Sequence, residues 1–370
     1  MATTPSSLDR PFSLYLDLVR TLAACAVVAA HFGFFHILSA QQTAAMPDFG
    51  REAVIAFFVL SGFVIAYSAE HKNRTLPDYA IARAARLYSV VLPVLLLAFV
   101  LASLVDGLAH ARIIDAYQLH KPWAYIPFHL AFLGDAWSFA ERPPWLLPYW
   151  SLDYEAWYYA LFGAAWYLKG RRRLVVVALV LAIVGPRLWL LLPVWLSGVV
   201  LYRWQKTAAM PRGLARAGWL LSVLLVAAWG WFDPEPALRA VANHAWPFPA
   251  IRLGSADRVL ADYAVCAMVL LNFSCARHAG FGLLERAAPA IRRLSAHTFT
   301  LYLSHAVVIG AWEALVPFRR GNWVDIGGLA LTIVVTAAAL QPVTEVLQRR
   351  LRVRLSVLAG TMGWAARVVR

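Results

Sequence analysis

Charge is what this chain has least of. Asp, Glu, Lys and Arg make up 15% of its 370 residues, while hydrophobic residues make up 61%. Soluble domains carry about 25% charged residues, so that class is excluded. Cysteine is scarce too. Cys25, Cys266 and Cys275 fall within or at the ends of apolar stretches, and none has metal-ligand spacing. A disulfide framework is excluded, no metal is implied, and the three are expected to be small buried hydrophobes. No repeat, linker or low-complexity tract divides the chain. Solenoid readings fall away, and one transmembrane domain over residues 1–370 is expected.

What is present is a succession of apolar runs. A hydrocarbon core roughly 30 Å thick needs about 20 helical residues. On that measure an all-α, polytopic transmembrane bundle of about ten spans is predicted. The spans lie near 14–38, 52–69, 83–105, 148–168, 172–186, 188–204, 215–232, 257–275, 297–317 and 325–347. Pro186 and Arg187 mark a tight outer turn between the fifth and sixth. The more polar stretch 106–147 reads as an extracytoplasmic interfacial segment, with 123–133 able to dip into the bilayer. Residues 348–370 read as a basic cytoplasmic tail. The first run is too long for a signal peptide and is interrupted by Asp17 and Arg20, so it is expected to stay attached as a span.

The formal net charge of +14 could suggest nucleic acid, but the basic residues cluster between apolar spans. With the N-terminus inside, twenty-three fall on the inner side and ten on the outer, with Arg20 left in the first span. The positive-inside rule then puts both termini in the cytoplasm of a multi-pass protein of the inner (plasma) membrane. The bilayer, not nucleic acid, is the expected partner.

Ionisable residues inside spans are costly and ask for a reason. Arg20 and His31 are eleven residues apart, which returns to within about 20° of one helix face and separates them by about 16 Å along the axis. Asp17 falls near the same stripe. Taken alone, the pair is balanced between a snorkelling arginine with a hydrogen-bonded histidine and an interior functional groove. Glu155 sits about seven residues below the outer end of its span and His31 about seven below the outer end of the first. Their depths match, so the carboxylate is expected to meet and orient the imidazole, as a general base requires. A structural ion pair is the plainer alternative. Asp153 is expected to face elsewhere and reach the outer interface. Arg83 and Arg86, three residues apart, share a helix face at a cytoplasmic mouth and offer bidentate grips on phosphate, although positive-inside flanking also places arginines there. Ser61-Gly62 permits close helix approach. Tyr302 and His305 lie near mid-membrane in the ninth span as secondary candidates, together with Asp17, Ser61 and Ser151.

With these residues assembled, the chain resembles the acyltransferase-3 family of membrane-bound acyltransferases. The likeness rests on Arg20 and His31 in the first span, Phe57-Phe58 with Ser61-Gly62, and the Arg83/Arg86 pair. It also rests on Trp150-Ser151-Leu152 with Glu155, and on Tyr302 with His305. It implies transfer of an acyl group, usually acetyl, from cytoplasmic acyl-CoA to a hydroxyl of a cell-surface or exported carbohydrate, free or lipid-linked. Arg20, Arg83 and Arg86 would bind the donor. His31, oriented by Glu155, would be the base, by direct transfer or through an acyl-histidine. Acetyl-CoA is then a co-substrate, and no cofactor is permanently bound. A small-molecule acceptor such as a macrolide is the alternative within the family. A transporter of a polar substrate is the alternative outside it, but the internal repeats common in transporters are absent from the sequence. An appended extracytoplasmic hydrolase-like domain, which some members carry, is not seen.

Overall fold

The computed structural model describes residues 9–109, 116–248 and 250–361. Among them there is no strand. The helices are α1 (Arg10–Phe34), α2 (Ala40–Ala45), α3 (Gly50–His71), α4 (Leu76–Ala109), α5 (Pro122–Leu130), α6 (Tyr149–Tyr167) and α7 (Gly170–Val184). They continue as α8 (Pro186–Trp204), α9 (Arg212–Phe232), α10 (Glu235–Ala245), α11 (Val259–Ala279), α12 (Ala288–Leu315) and α13 (Trp323–Thr361).

Each of the ten apolar runs is helical. Six helices are long and apolar enough to cross a membrane on their own: α1, α3, α4, α9, α11 and α13. α7 and α8 together supply a seventh candidate span, bent by 120°. α6 and α12 fall below that measure for a physical reason. They carry Ser151, Asp153, Ser304 and His305, all buried, and polar side chains of this kind are tolerated only where the bundle shields them from lipid. By contrast, little of α9 or α13 is buried, which suits helices that face hydrocarbon.

The bundle closes where glycines allow it. A Cβ at Gly62 of α3 would run into the carbonyl oxygen of Trp195, and one at Gly198 of α8 into that of Val59. The two backbones therefore touch, as small residues permit between membrane helices. Around this crossing the core gathers Phe58, Phe63, Tyr154, Tyr158 and Trp195. α1 packs on α3 and α12, and α4 packs on α12 and α13.

Several expectations are corrected. The stretch 106–147 lies on the surface only in part: Tyr117, Trp123 and Phe139 are exposed. α4 continues to Ala109, residues 110–115 lie outside the described residues, and part of the rest turns inward. Gln118, His129, Asp135 and Leu146 are buried. Side chains from the long helices satisfy its backbone: Tyr88 donates to the Leu130 carbonyl (2.8 Å), Tyr149 to that of His129 (2.7 Å) and Trp157 to that of Phe132 (2.8 Å). The buried part of this irregular backbone is thus satisfied within the protein.

The tight turn expected at Pro186 and Arg187 is there, a 120° bend between α7 and α8. Gly185 makes the turn with φ +76°, while Arg187 is 1% exposed and donates to the carbonyls of Arg252 (2.6 Å) and Phe139. The predicted tail is helical as far as Thr361, continuous with the last span, and 362–370 lie outside the described residues. Cys266 and Cys275 are buried, but Cys25 is exposed on α1.

Candidate active site

α1, α3, α4, α6 and α12 enclose a cavity of about 140 Å³ with charged walls. Arg20 enters it from α1. Its Nη2 donates to Asp17 Oδ1 (2.8 Å) and to Ser295 Oγ, and the Ser295 hydroxyl in turn donates to Asp17 Oδ1 (2.8 Å). Asp17 is one turn away on the same helix, as the sequence suggested. Ser295 comes from α12 and had no signal in the sequence.

Arg83 and Arg86 enter from α4. Arg83 lies over the Tyr159 ring (5.9 Å) and Arg86 over the Phe299 ring (5.1 Å). Neither forms an ion pair among the described residues. Arg83 Nε is buried with no hydrogen-bond partner. Aromatic faces hold these cations in place without neutralising them.

Glu155 is the counter-charge. Its Oε1 accepts from Ser61 Oγ (2.7 Å) and from the Tyr159 hydroxyl, and Ser61 Oγ accepts from Trp195 Nε1 (3.2 Å). The close α3–α8 crossing at Gly62 and Gly198 thus delivers both Ser61 and the indole that fixes it. Tyr159 was missed in the sequence, although it stands one helical turn from Glu155, at the i+4 spacing that puts two side chains on one face.

The expected meeting of Glu155 with His31 does not occur. α1 ends at Phe34, not near residue 38, because the chain turns at His36 in a left-handed conformation (φ +54°). The turn is tied down where the Gly321 amide donates to the Ile37 carbonyl (2.9 Å). His31 is therefore three residues from its helix end, while Glu155 is six residues into α6. The two side chains take separate partners. His31 Nδ1 instead lies 2.6 Å from His305 Nε2 on α12. Asp153 was expected at the outer interface but is 1% exposed, and neither of its oxygens has a hydrogen-bond partner.

Tyr302 joins the two groups. It lines the arginine cavity, its hydroxyl is 2.7 Å from Ser151 Oγ, and its ring centroid is 6.2 Å from that of His305. Of the candidate residues, Arg20, Ser61, Arg83, Arg86, Ser151, Glu155 and Tyr302 line one cavity, with Asp17 holding Arg20 behind it. His31 and His305 form a pair beyond Tyr302.

A family model described as an acyltransferase domain, that of acyltransferase-3, matches residues 13–341. The chain belongs to the acyltransferase-3 family. It is accordingly a membrane acyltransferase, and every candidate residue named above lies within the matched range. No curated protein and no solved structure matches the chain. In this acyltransferase residues of α1, α3, α4, α6 and α12 line the cavity, and α1 and α12 supply the histidine pair.

Proposed function

We propose that this acyltransferase moves an acetyl group from cytoplasmic acetyl-CoA to a hydroxyl of an exported or cell-surface carbohydrate. In this reading Arg20, Arg83 and Arg86 bind the donor and His31 is the general base. The observation that carries it is the arginine cavity. Three guanidiniums face two carboxylates, Asp17 and Glu155, and two of the three have no ion-pair partner among the described residues. Charges kept inside a bundle without partners are costly unless a ligand completes them. The ligand must be anionic, and planar guanidiniums suit phosphate oxygens. With the phosphates held there, the pantetheine arm would pass Tyr302 and present its thioester to His31.

The chemistry balances without a further reactant. His31 takes the proton from the acceptor hydroxyl as its oxygen attacks the thioester carbonyl. The new C–O bond forms, the C–S bond breaks, and the departing thiolate regains the proton from His31. The products are an ester and free CoA thiol. Location in the inner membrane, with both termini cytoplasmic, is supported by the distribution of basic residues and supplies the donor from the correct side.

The test is transfer itself. Native membrane vesicles holding the full chain are given acetyl-CoA labelled in the acetyl group, and label is followed into the polysaccharide fraction. Base-labile label is expected there, and it should vanish with Arg83→Ala. Label confined to small lipophilic products would replace the carbohydrate acceptor with a small molecule. In parallel, a reporter enzyme active only in the cytoplasm should work when fused after Arg173 and stay silent within 233–256. Activity at the second site would overturn the proposed donor side.

A further inference from the structure

The reading of His31 as base leaves open what holds its ring in the productive state, now that Glu155 is engaged elsewhere. Imidazole has two nitrogens, and only an unprotonated one can take a proton. A ring free to exchange tautomers would present the wrong nitrogen part of the time. In many bases a carboxylate settles this. Here no carboxylate touches His31 among the described residues; its ring partner is another histidine, His305, which is fully buried (0% exposed).

The hydrogen bonds determine the tautomers in sequence. His305 Nδ1 lies 3.1 Å from the backbone carbonyl oxygen of Leu301, one turn earlier on α12. A carbonyl can only accept, so the neutral His305 ring carries its hydrogen on Nδ1. Its Nε2 is then bare and must accept. The group facing it at 2.6 Å is His31 Nδ1, which therefore carries the hydrogen. That leaves His31 Nε2 unprotonated. The chain of assignments starts at a helix carbonyl, which cannot change role.

The surroundings keep both rings still. The two rings are nearly parallel, at 22° with centroids 4.9 Å apart. Phe34 and Phe35 turn their edges to His31 at 6.3 and 5.9 Å, and Tyr302 backs His305.

We propose that His305 is the positioning residue of the transfer reaction, a neutral imidazole that sets the tautomer of His31 in place of a carboxylate. The proposal rests on His31 being the base. When His31 takes a proton on Nε2, its Nδ1–H bond to His305 becomes charge-assisted and strengthens. The pair therefore favours the protonated state that forms during acyl transfer, with no buried anion required at rest.

Two substitutions separate positioning from packing. In His305→Gln the amide oxygen can occupy the place of Nε2 and still accept from His31 Nδ1. In His305→Leu nothing accepts. CoA thiol release from acetyl-CoA is measured for the full chain in native membrane vesicles, with KM for acetyl-CoA read separately from kcat. His305→Gln should retain kcat to within about tenfold, and His305→Leu should lose about a hundredfold or more, the range of general-base catalysis. KM should stay unchanged in both. Nitrogen-15 spectra of the histidine-labelled, detergent-solubilised chain supply a readout that does not depend on activity. They should assign His31 as the Nδ1–H tautomer in the wild type and in His305→Gln, and as an exchanging mixture in His305→Leu. An Nε2–H tautomer for His31 in the wild type overturns the proposal, as does wild-type kcat in His305→Leu. If His31→Ala is inactive while both His305 variants keep wild-type kcat, positioning alone is wrong. If His31→Ala itself stays active, the base assignment falls first.

Discussion

Arg86 separates a structural charge from a functional one. It lies against the Phe299 ring at 5.1 Å, forms no ion pair among the described residues, and stands one turn from Arg83 in the same cavity. Arg86→Met removes the charge and keeps most of the side-chain volume. On the stability side, the variant loses a cation–π contact worth about 0.5–2 kcal/mol. It also sheds the cost of holding a guanidinium out of water, which is several kcal/mol per buried ion. The unliganded protein should therefore unfold no earlier than the wild type. On the binding side, it loses charge-assisted hydrogen bonds to phosphate of about 1.5–3 kcal/mol, a roughly 10- to 150-fold weaker affinity for CoA. Arg86→Lys should recover only part of this, because an ammonium cannot make the planar fork. The assay is calorimetric titration of the detergent-solubilised chain with CoA, beside thermal unfolding of the same samples. Unchanged CoA affinity together with a lowered unfolding temperature would refute the reasoning and make Arg86 a packing residue.

Three more outcomes are expected. His31→Ala should cut turnover by about a hundredfold or more with CoA affinity unchanged, whereas Glu155→Gln, which loosens Ser61 and Tyr159 in the arginine cavity, should alter CoA affinity. Because the two residues do not touch, their effects on kcat/KM should multiply in the double variant; a double variant no worse than His31→Ala alone would restore the pairing expected from sequence. Gly62→Ala should force α3 from α8 and destabilise the fold by about 3 kcal/mol or more, and an unchanged unfolding temperature would mean the helices are not in backbone contact. Asp135, between α5 and α6, is raised to about 6 by burial, which outweighs Arg187 at 3.9 Å. Because the native state holds that proton more tightly than the unfolded chain, Asp135 favours folding at pH 4 and this contribution fades as pH rises to about 6. Unfolding temperature should fall across that window in the wild type and flatten in Asp135→Asn; identical slopes would remove Asp135 from the titration.

Hydropathy alone was enough to locate every long helix, because a helix in lipid must satisfy its backbone internally and bury its length in about 20 apolar residues. Motif spacing within a helix was equally legible. Asp17 with Arg20 and Arg83 with Arg86 sit on shared faces because 3.6 residues per turn is a local property. Pairings between helices were not. Whether Glu155 meets His31 depends on how α1, α6 and α12 pack, and that packing sets His31 against His305 and Glu155 against Ser61 and Tyr159. The inward turn at 129–132 likewise depends on Tyr88, Tyr149 and Trp157 reaching its carbonyls from other helices, a balance that no composition reveals. The sequence by itself determined the helices, the family motifs and the residues that carry charge. Only the tertiary structure decided which charges share a cavity and which histidine faces His31, because a hydrogen bond depends on three-dimensional approach to within about 3 Å, which spacing along the chain does not encode.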